Sequence, residues 1–329
     1  MDSSSDTQYA INIKGLHKSF GKLKVLEGVD FGVKRGEVVA LLGPNGSGKT
    51  TIVRILSTLL KADRGDISVG GYDVVREGEK VRSVIGLTGQ YAAVDEYLTA
   101  RENLRMMGRL YHLNRKLTDS RTEQLLKQFD LMDAANRYVK TYSGGMRRRL
   151  DLAVSLIATP PILFLDEPTT ALDPRSRVEM WNIVEELVRG GTTILLTTQH
   201  LEEADRLADR IIVINKGRVI AQGTADQLKR SVGTEKIHFT FAHINDLRKA
   251  SMLIEKTEHT TDEKQKSLLV SNKQGIRMLK DLLQKFEHEQ INVTGLACSK
   301  PTLDDVFIKL TGQKAAQEKN DNSNFHSQE

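Results

Sequence analysis

One run decides what this chain can fold into: Gly43-Pro44-Asn45-Gly46-Ser47-Gly48-Lys49-Thr50. It follows the β-branched segment Val38-Val39-Ala40-Leu41-Leu42 and precedes a helical pattern. Strand, glycine-rich turn and helix in that order form a phosphate-binding loop, because glycines let successive backbone N–H groups curl around phosphate oxygens. The helix N-terminus adds partial positive charge. Lys49 is expected to reach the β- and γ-phosphates, and Thr50, with Thr51 beside it, to meet the nucleotide and a Mg²⁺ ion. A glycine-rich turn without function is the competing reading, and the complete pattern in its context outweighs it.

Further strands follow. Val84–Thr88, Ile162–Leu165 and Thr193–Thr197 each lead through a turn toward a helix, the pattern of a mainly parallel sheet covered by helices. Ile11–Phe20 and Lys24–Val33 read as antiparallel strands at its side. Thr99–Leu113 and Asp119–Phe129 read as amphipathic helices with no strand between them, so a helical subdomain is expected at about 91–158.

Ligands of open α/β sheets sit at the carboxyl ends of the strands, and several polar residues fall there. Asp166 ends one strand and is placed to hold Mg²⁺; Glu167 after it is the candidate base for an attacking water. A helix-terminal carboxylate is the plainer role for Glu167. Gln90 follows Val84–Thr88, and its amide suits Mg²⁺ and water, although most glutamines are surface residues. His200 follows Thr193–Thr197 and suits a γ-phosphate contact or, equally, a cap or core role.

Ser143-Gly144-Gly145 opens another helix and is a second phosphate-ready terminus. An N-cap serine before a flexible turn is the alternative. One triphosphate does not need two such loops, which suggests two chains meeting around the nucleotide.

The pattern changes near Glu235. Strand 236–241, helix 244–256, a hairpin at 260–270, helix 274–287 and strand 291–296 give the order βαββαβ, compatible with a small ferredoxin-like α+β module, and 301–310 adds a helix. The expected divisions are 1–9 disordered, 10–232 nucleotide-binding, 233–312 accessory and 313–329 a polar disordered tail.

Bulk features exclude some classes. One cysteine, Cys298, leaves no disulfide framework or cysteine-rich zinc site, and a buried free thiol is its expected state. The net charge of +5 over 329 residues is interleaved with acids, so no nucleic-acid partner is expected; the cluster Arg147-Arg148-Arg149 is the exception to the interleaving. No apolar run approaches the roughly 20 residues that span a bilayer, so any membrane part is expected on another chain.

Taken in order, Gly43–Thr50, Gln90, Tyr142–Met146, Leu165–Glu167, Ala171-Leu172-Asp173 and His200 resemble the ATP-binding-cassette (ABC) ATPases over about Ile11 to Ser231. That resemblance implies a P-loop NTPase fold of the ABC type and two cassettes sandwiching two ATP molecules head to tail. Ser143, Gly144 and Gly145 would contact the γ-phosphate held by the partner, Asp173 would lie in a loop crossing the interface, and Phe20 would stack on adenine unless it is a core residue. Tyr142 and Met146 depart from the leucine and glutamine usual in the family.

Residues 89–99 and Pro301-Thr302-Leu303-Asp304-Asp305-Val306-Phe307 are similar to the daunorubicin-resistance type of drug-exporter ATPase. This implies an ATPase at the cytoplasmic face of the membrane. Its implied partners are a second copy or a paralogous cassette and a separate integral membrane permease, with drug-like or lipophilic compounds as cargo. The rival is a non-transport cassette in translation, DNA repair or self-resistance. The translation and DNA-repair cassettes usually carry coiled coils, zinc cysteines or paired cassettes, and this chain has one P-loop and one cysteine.

Overall fold

β1 (Tyr9–Phe20) and β2 (Leu23–Lys34) pair antiparallel through a turn at Gly21, whose φ of 57° suits glycine. Ile11, Ile13 and Leu16 from one strand and Leu26, Val29, Phe31 and Val33 from the other are buried. The computed structural model describes residues 8–89, 93–233, 235–254, 259–272 and 275–312. Tyr9, expected in a disordered N-terminus, already belongs to β1; residues 1–7 and the tail 313–329 lie outside the described residues.

β3 (Val38–Leu42) is buried at all five positions and leads into α1 (Lys49–Leu56). β4 (Arg64–Val69), β5 (Tyr72–Asp73), α2 (Gly78–Val84) and β6 (Ile85–Thr88) follow. Three helices come next: α3 (Ala100–Leu110), α4 (Arg115–Gln128) and α5 (Gly144–Ser155). Thr99 starts α3 with a capping box, its hydroxyl accepting from the Glu102 N–H while the Glu102 carboxylate accepts from the Thr99 N–H. Asn114 caps α4 with a single bond, its side chain accepting from the Leu117 N–H.

The chain then returns to the sheet with β7 (Ile162–Asp166), α6 (Pro174–Arg189), β8 (Thr193–Thr198), α7 (Leu201–Leu207), β9 (Arg210–Asn215), β10 (Arg218–Gly223) and α8 (Ala225–Val232).

The main sheet has the order β10-β9-β3-β8-β7-β6, parallel throughout except for β10 against β9. The antiparallel side sheet runs β2-β1-β4-β5. This is the expected α/β architecture, with three helices inserted between β6 and β7.

The chain divides into two compact units at Ala225/Asp226. The second contains β11 (Glu235–Phe241), α9 (Ile244–Leu253), β12 (His259–Asp262), β13 (Ser267–Asn272), α10 (Ile276–His288), β14 (Val293–Ser299) and α11 (Leu303–Thr311). Its antiparallel sheet has the order β12-β13-β11-β14, the ferredoxin-like arrangement in which the two βαβ crossovers interlock. Phe239, Phe241 and Phe286 centre its core, the Phe239 and Phe286 rings meeting edge to face at 5.1 Å.

Cys298 is exposed, not buried as expected. β14 is an edge strand, and the core reaches only Val293 on it, so the strand's last residues lie in solvent. Among the described residues no helix is long and apolar enough to cross a membrane.

Candidate functional site

The sheet order itself assembles the site. β3, β8, β7 and β6 lie side by side and parallel, so their carboxyl ends share one edge of the sheet. Leu42 pairs with Thr198, Thr197 with Asp166, and Leu165 with Thr88. The loops that follow carry Gly43–Gly48, His200, Glu167 and Gly89 in turn. Gln90 lies outside the described residues.

Gly46 and Gly48 adopt φ of 78° and 106°, the left-handed region that side chains resist. A Cβ at Gly43 would meet the Ile214 carbonyl oxygen at 2.2 Å, and one at Gly48 would meet Leu26 Cδ2 at 2.5 Å. Pro44, Asn45 and Gly46 form the outer, more exposed part of the loop. Lys49 is buried, and its ammonium donates to the carbonyls of Gly43 at 2.7 Å and Pro44 at 3.2 Å. Burial holds its pKa below the ordinary lysine value, opposed by the carboxylates of Glu167 and Asp166. The buried Ser47 Oγ has no hydrogen-bond partner among the described residues. An orphaned hydroxyl inside a glycine cradle suits a phosphate oxygen.

Asp166 is buried at the end of β7. Its Oδ1 accepts from Thr197 Oγ1 at 2.5 Å and from Thr50 Oγ1 at 3.3 Å. Thr50 and Asp166 are hard oxygen donors, which fits a small divalent cation such as Mg²⁺. Glu167 has φ of 50°, strained for a residue with a side chain. Its N–H is held by both the carbonyl and the hydroxyl oxygen of Thr197, each at 3.1 Å. The carboxylate accepts from Thr170 Oγ1 at 3.2 Å. Thr197 thus orients both carboxylate residues; its only sequence signal was its place at the end of a strand.

His200 occupies the N-cap position of α7, but its side chain makes no capping bond and is half-buried. The ring is therefore neither a cap nor a fully buried core group. Thr51 lies in the first turn of α1 beside Thr50.

Ser143 caps α5, its hydroxyl accepting from the Met146 N–H at 3.2 Å. The helix so opened starts with two glycines of different kinds. A Cβ at Gly145 would meet Ser176 Oγ at 2.6 Å, whereas a Cβ at Gly144 would meet nothing within 4 Å. Of the two, packing among the described residues demands glycine at 145 alone.

Tyr142 has a structural reason. It is buried, and its hydroxyl donates to the Ala134 carbonyl at 2.7 Å, tying the segment before α5 to the loop after α4. Burial raises its pKa, with Arg137 opposing. Met146 is half-buried, and the structure gives no account of its replacing glutamine. Asp173 caps α6, accepting from the N–H groups of Arg175 and Ser176 and from Ser176 Oγ at 2.6 Å. The Ser176 bonds hold its carboxyl below the usual range.

Phe20 is 49% exposed at the end of β1, with the Lys18 ammonium 5.4 Å from its ring centre. This excludes the core reading and leaves about half of the residue accessible. The three arginines after the glycines are paired within the first unit: Arg147 with Glu96, Arg148 with Asp151, and Arg149 with Glu179 and Asp130. A cleft of about 300 Å³ nearby is lined by Leu59, Arg82, Leu87, Ala93, Met107 and Tyr111, among others.

Comparison with known proteins agrees with this geometry. The ABC transporter family matches residues 26–170, and the C-terminal domain of DrrA1-3-like ATP-binding proteins matches residues 223–311. A daunorubicin resistance ATP-binding protein of Streptomyces coeruleorubidus is 50% identical over 303 residues, spanning 92% of this chain and 96% of its own. A solved ATP-binding subunit of an ABC transporter superposes with a TM-score of 0.62 at 32% identity, covering 68% of this chain and 92% of that one. A dimeric ATP-binding cassette solved in a post-hydrolysis state with ADP and phosphate gives a TM-score of 0.60 at 27% identity, covering 65% and 98%. The chain belongs to the ABC transporter family, as an ATP-binding and ATP-hydrolysing subunit related to the daunorubicin-resistance ATP-binding proteins.

Proposed function

We propose that two such chains, or this chain and a paralogous cassette, close head to tail around two ATP molecules and drive export of a drug-like or lipophilic compound through a separate membrane permease. Gly144 carries the reading. It begins a capped helix, faces open space and is not required by any contact among the described residues. A bare helix terminus of that kind suits close approach of a phosphate from outside. The solved relative that is dimeric, with ADP and phosphate, supports the same arrangement.

In each closed site the glycine loop and Lys49 would hold the β- and γ-phosphates, and Phe20 would stack on the adenine. Ser143 and the amides of Gly144 and Gly145 of the facing chain would complete the γ-phosphate cradle, with Asp173 near the crossing. Thr50 and Asp166, with Gln90, would hold Mg²⁺, which when bound neutralises phosphate charge. Glu167 takes a proton from water as the water oxygen bonds to the γ-phosphorus. The bond from that phosphorus to the bridging oxygen breaks, giving ADP and phosphate. His200 holds the γ-phosphate. Positioning and electrostatics supply most of the acceleration.

The cleft lined by Leu59, Leu87, Met107 and Tyr111 flanks Ala93, and the exposed Leu59 offers an apolar contact for the permease. That contact would place the chain at the cytoplasmic face of the membrane. The names of the daunorubicin-resistance relatives support a drug-like cargo. The ferredoxin-like unit is assigned structural support of the cassette.

Glu167→Gln should bind ATP, stop turnover and form a dimer with ATP on light scattering. A variant that hydrolyses normally overturns the base, and one that stays monomeric overturns the sandwich. Co-purification with a multi-span permease supports transport; association with ribosomes or DNA supports the rival.

A further inference from the structure

Arg148 is a buried cation that none of these steps uses. It lies on α5, five residues beyond Ser143, and its side chain is 10% exposed. Its guanidinium reaches four main-chain carbonyls. Nε donates to Pro168 at 2.9 Å, Nη1 to Gly89 at 2.7 Å, and Nη2 to Asp166 at 3.1 Å and Glu167 at 3.0 Å. Nη1 also meets Asp151 Oδ2 at 3.3 Å, and Asp151 Oδ1 accepts from the Ala93 N–H at 2.7 Å. The pair therefore holds Gly89, Ala93 and the turn that carries the candidate hydrolysis carboxylates.

Burying a guanidinium is costly unless its donors are satisfied. Here the partners are carbonyls at and just beyond the carboxyl ends of the neighbouring strands β6 and β7. Only a planar fork reaches four acceptors in fixed directions; an ammonium does not. Glu167 has a strained backbone, so its placement depends on the bonds around it.

We propose that Arg148 is a positioning residue that carries engagement of the Ser143 end of α5 to Glu167 of the same chain. This rests on the head-to-tail reading above. Under it, the terminus of α5 meets the ATP of one site while Arg148, about 6–8 Å further along the same rigid helix, sets the base of the other. The arginine then couples the two sites, so that hydrolysis at one responds to nucleotide at its neighbour. Asp151 keeps the fork aligned and ties the residue after the Gln90 segment to it.

The test compares full-length parent, Arg148→Lys and Arg148→Gln for ATP affinity by a fluorescent ATP analogue, for the rate at saturating ATP, and for the Hill coefficient of hydrolysis. Both variants should keep affinity within about threefold, lose about a hundredfold in rate, and show a Hill coefficient reduced toward one. Parental rate and cooperativity in Arg148→Lys would overturn the proposal, because charge alone would then suffice. So would loss of folding, or parallel loss of affinity and rate, in both variants, because the arginine would then be merely structural. A Glu167→Gln chain that stays monomeric with ATP, beside a non-cooperative parent, overturns the head-to-tail reading and this inference with it. A dimeric Glu167→Gln chain with cooperative Arg148 variants overturns the inference alone.

Discussion

The Thr197 hydroxyl donates to Asp166 Oδ1 at 2.5 Å while accepting the Glu167 N–H at 3.1 Å. One side chain on β8 thus fixes two consecutive residues at the end of β7. Thr197→Val keeps shape but removes both bonds. Glu167 N–H retains the Thr197 carbonyl, so the expected stability loss is about 1–3 kcal/mol. The larger effect should be on catalysis: roughly tenfold or more in rate, with a raised Mg²⁺ requirement and nearly unchanged ATP affinity. Steady-state hydrolysis against Mg²⁺ concentration checks it, and a variant of parental rate contradicts the role.

The two glycines that open α5 should separate folding from function. Gly145→Ala drives a methyl against Ser176 Oγ, which is itself bonded to Asp173. That should cost about 1–3 kcal/mol by overpacking and loosen the cap of α6. Gly144→Ala meets open space. Its thermal midpoint should stay level or rise slightly, since alanine restricts the unfolded chain. Its turnover and ATP-dependent dimerisation should nonetheless fall, because the methyl would enter the partner's phosphate. Calorimetry and light scattering on the same preparation decide it; normal dimerisation by Gly144→Ala removes the main support for the sandwich.

Tyr142→Phe isolates the hydrogen bond that justifies the tyrosine. The Ala134 carbonyl loses its 2.7 Å donor in a buried setting. A loss of about 1 kcal/mol is expected, seen as a lower denaturation midpoint, with ATP affinity unchanged. No change in the midpoint would mean that water or a neighbour replaces the bond.

The parts of the molecule legible in its sequence are those built from neighbouring residues. Gly43–Thr50 announces itself because all its phosphate-facing groups are contiguous. Strand ends announce Asp166 because β7 is an unbroken buried run. The βαββαβ order of the second unit follows from periodicity alone. Contacts between distant segments are different. Arg148 reads as one member of a basic cluster without an assigned partner until Gly89 and Asp166–Pro168 are folded around it. Thr197 reads as one more β-branched strand residue. The left-handed backbone of Glu167 leaves no mark, since glutamate is not a residue type that signals positive φ. Cys298 misleads for the opposite reason: composition favours burial, but an edge strand leaves it exposed.

Asp151 gives the cassette a pH dependence of definite sign. Burial raises its carboxyl from the ordinary 3.8 to about 6, against the pull of the Ala93 N–H and Arg148. Arg148 is the charged group packed on it, and Arg82 and Tyr111 line the same cleft. Below about pH 4 both folded and unfolded chains carry the proton, and the group contributes no difference. Between about 4 and 6 the unfolded chain releases it first, so the folded state binds more protons and stability falls as pH rises. Above about pH 6 the full cost is present, on the order of 3 kcal/mol. Asp151→Asn keeps an acceptor for Ala93 but cannot titrate. Urea denaturation of parent and variant from pH 4.5 to 7.5 should show the parent losing stability relative to the variant across the lower part of that range, then running parallel. A constant difference at all pH values would show that Arg148 holds Asp151 ionised throughout.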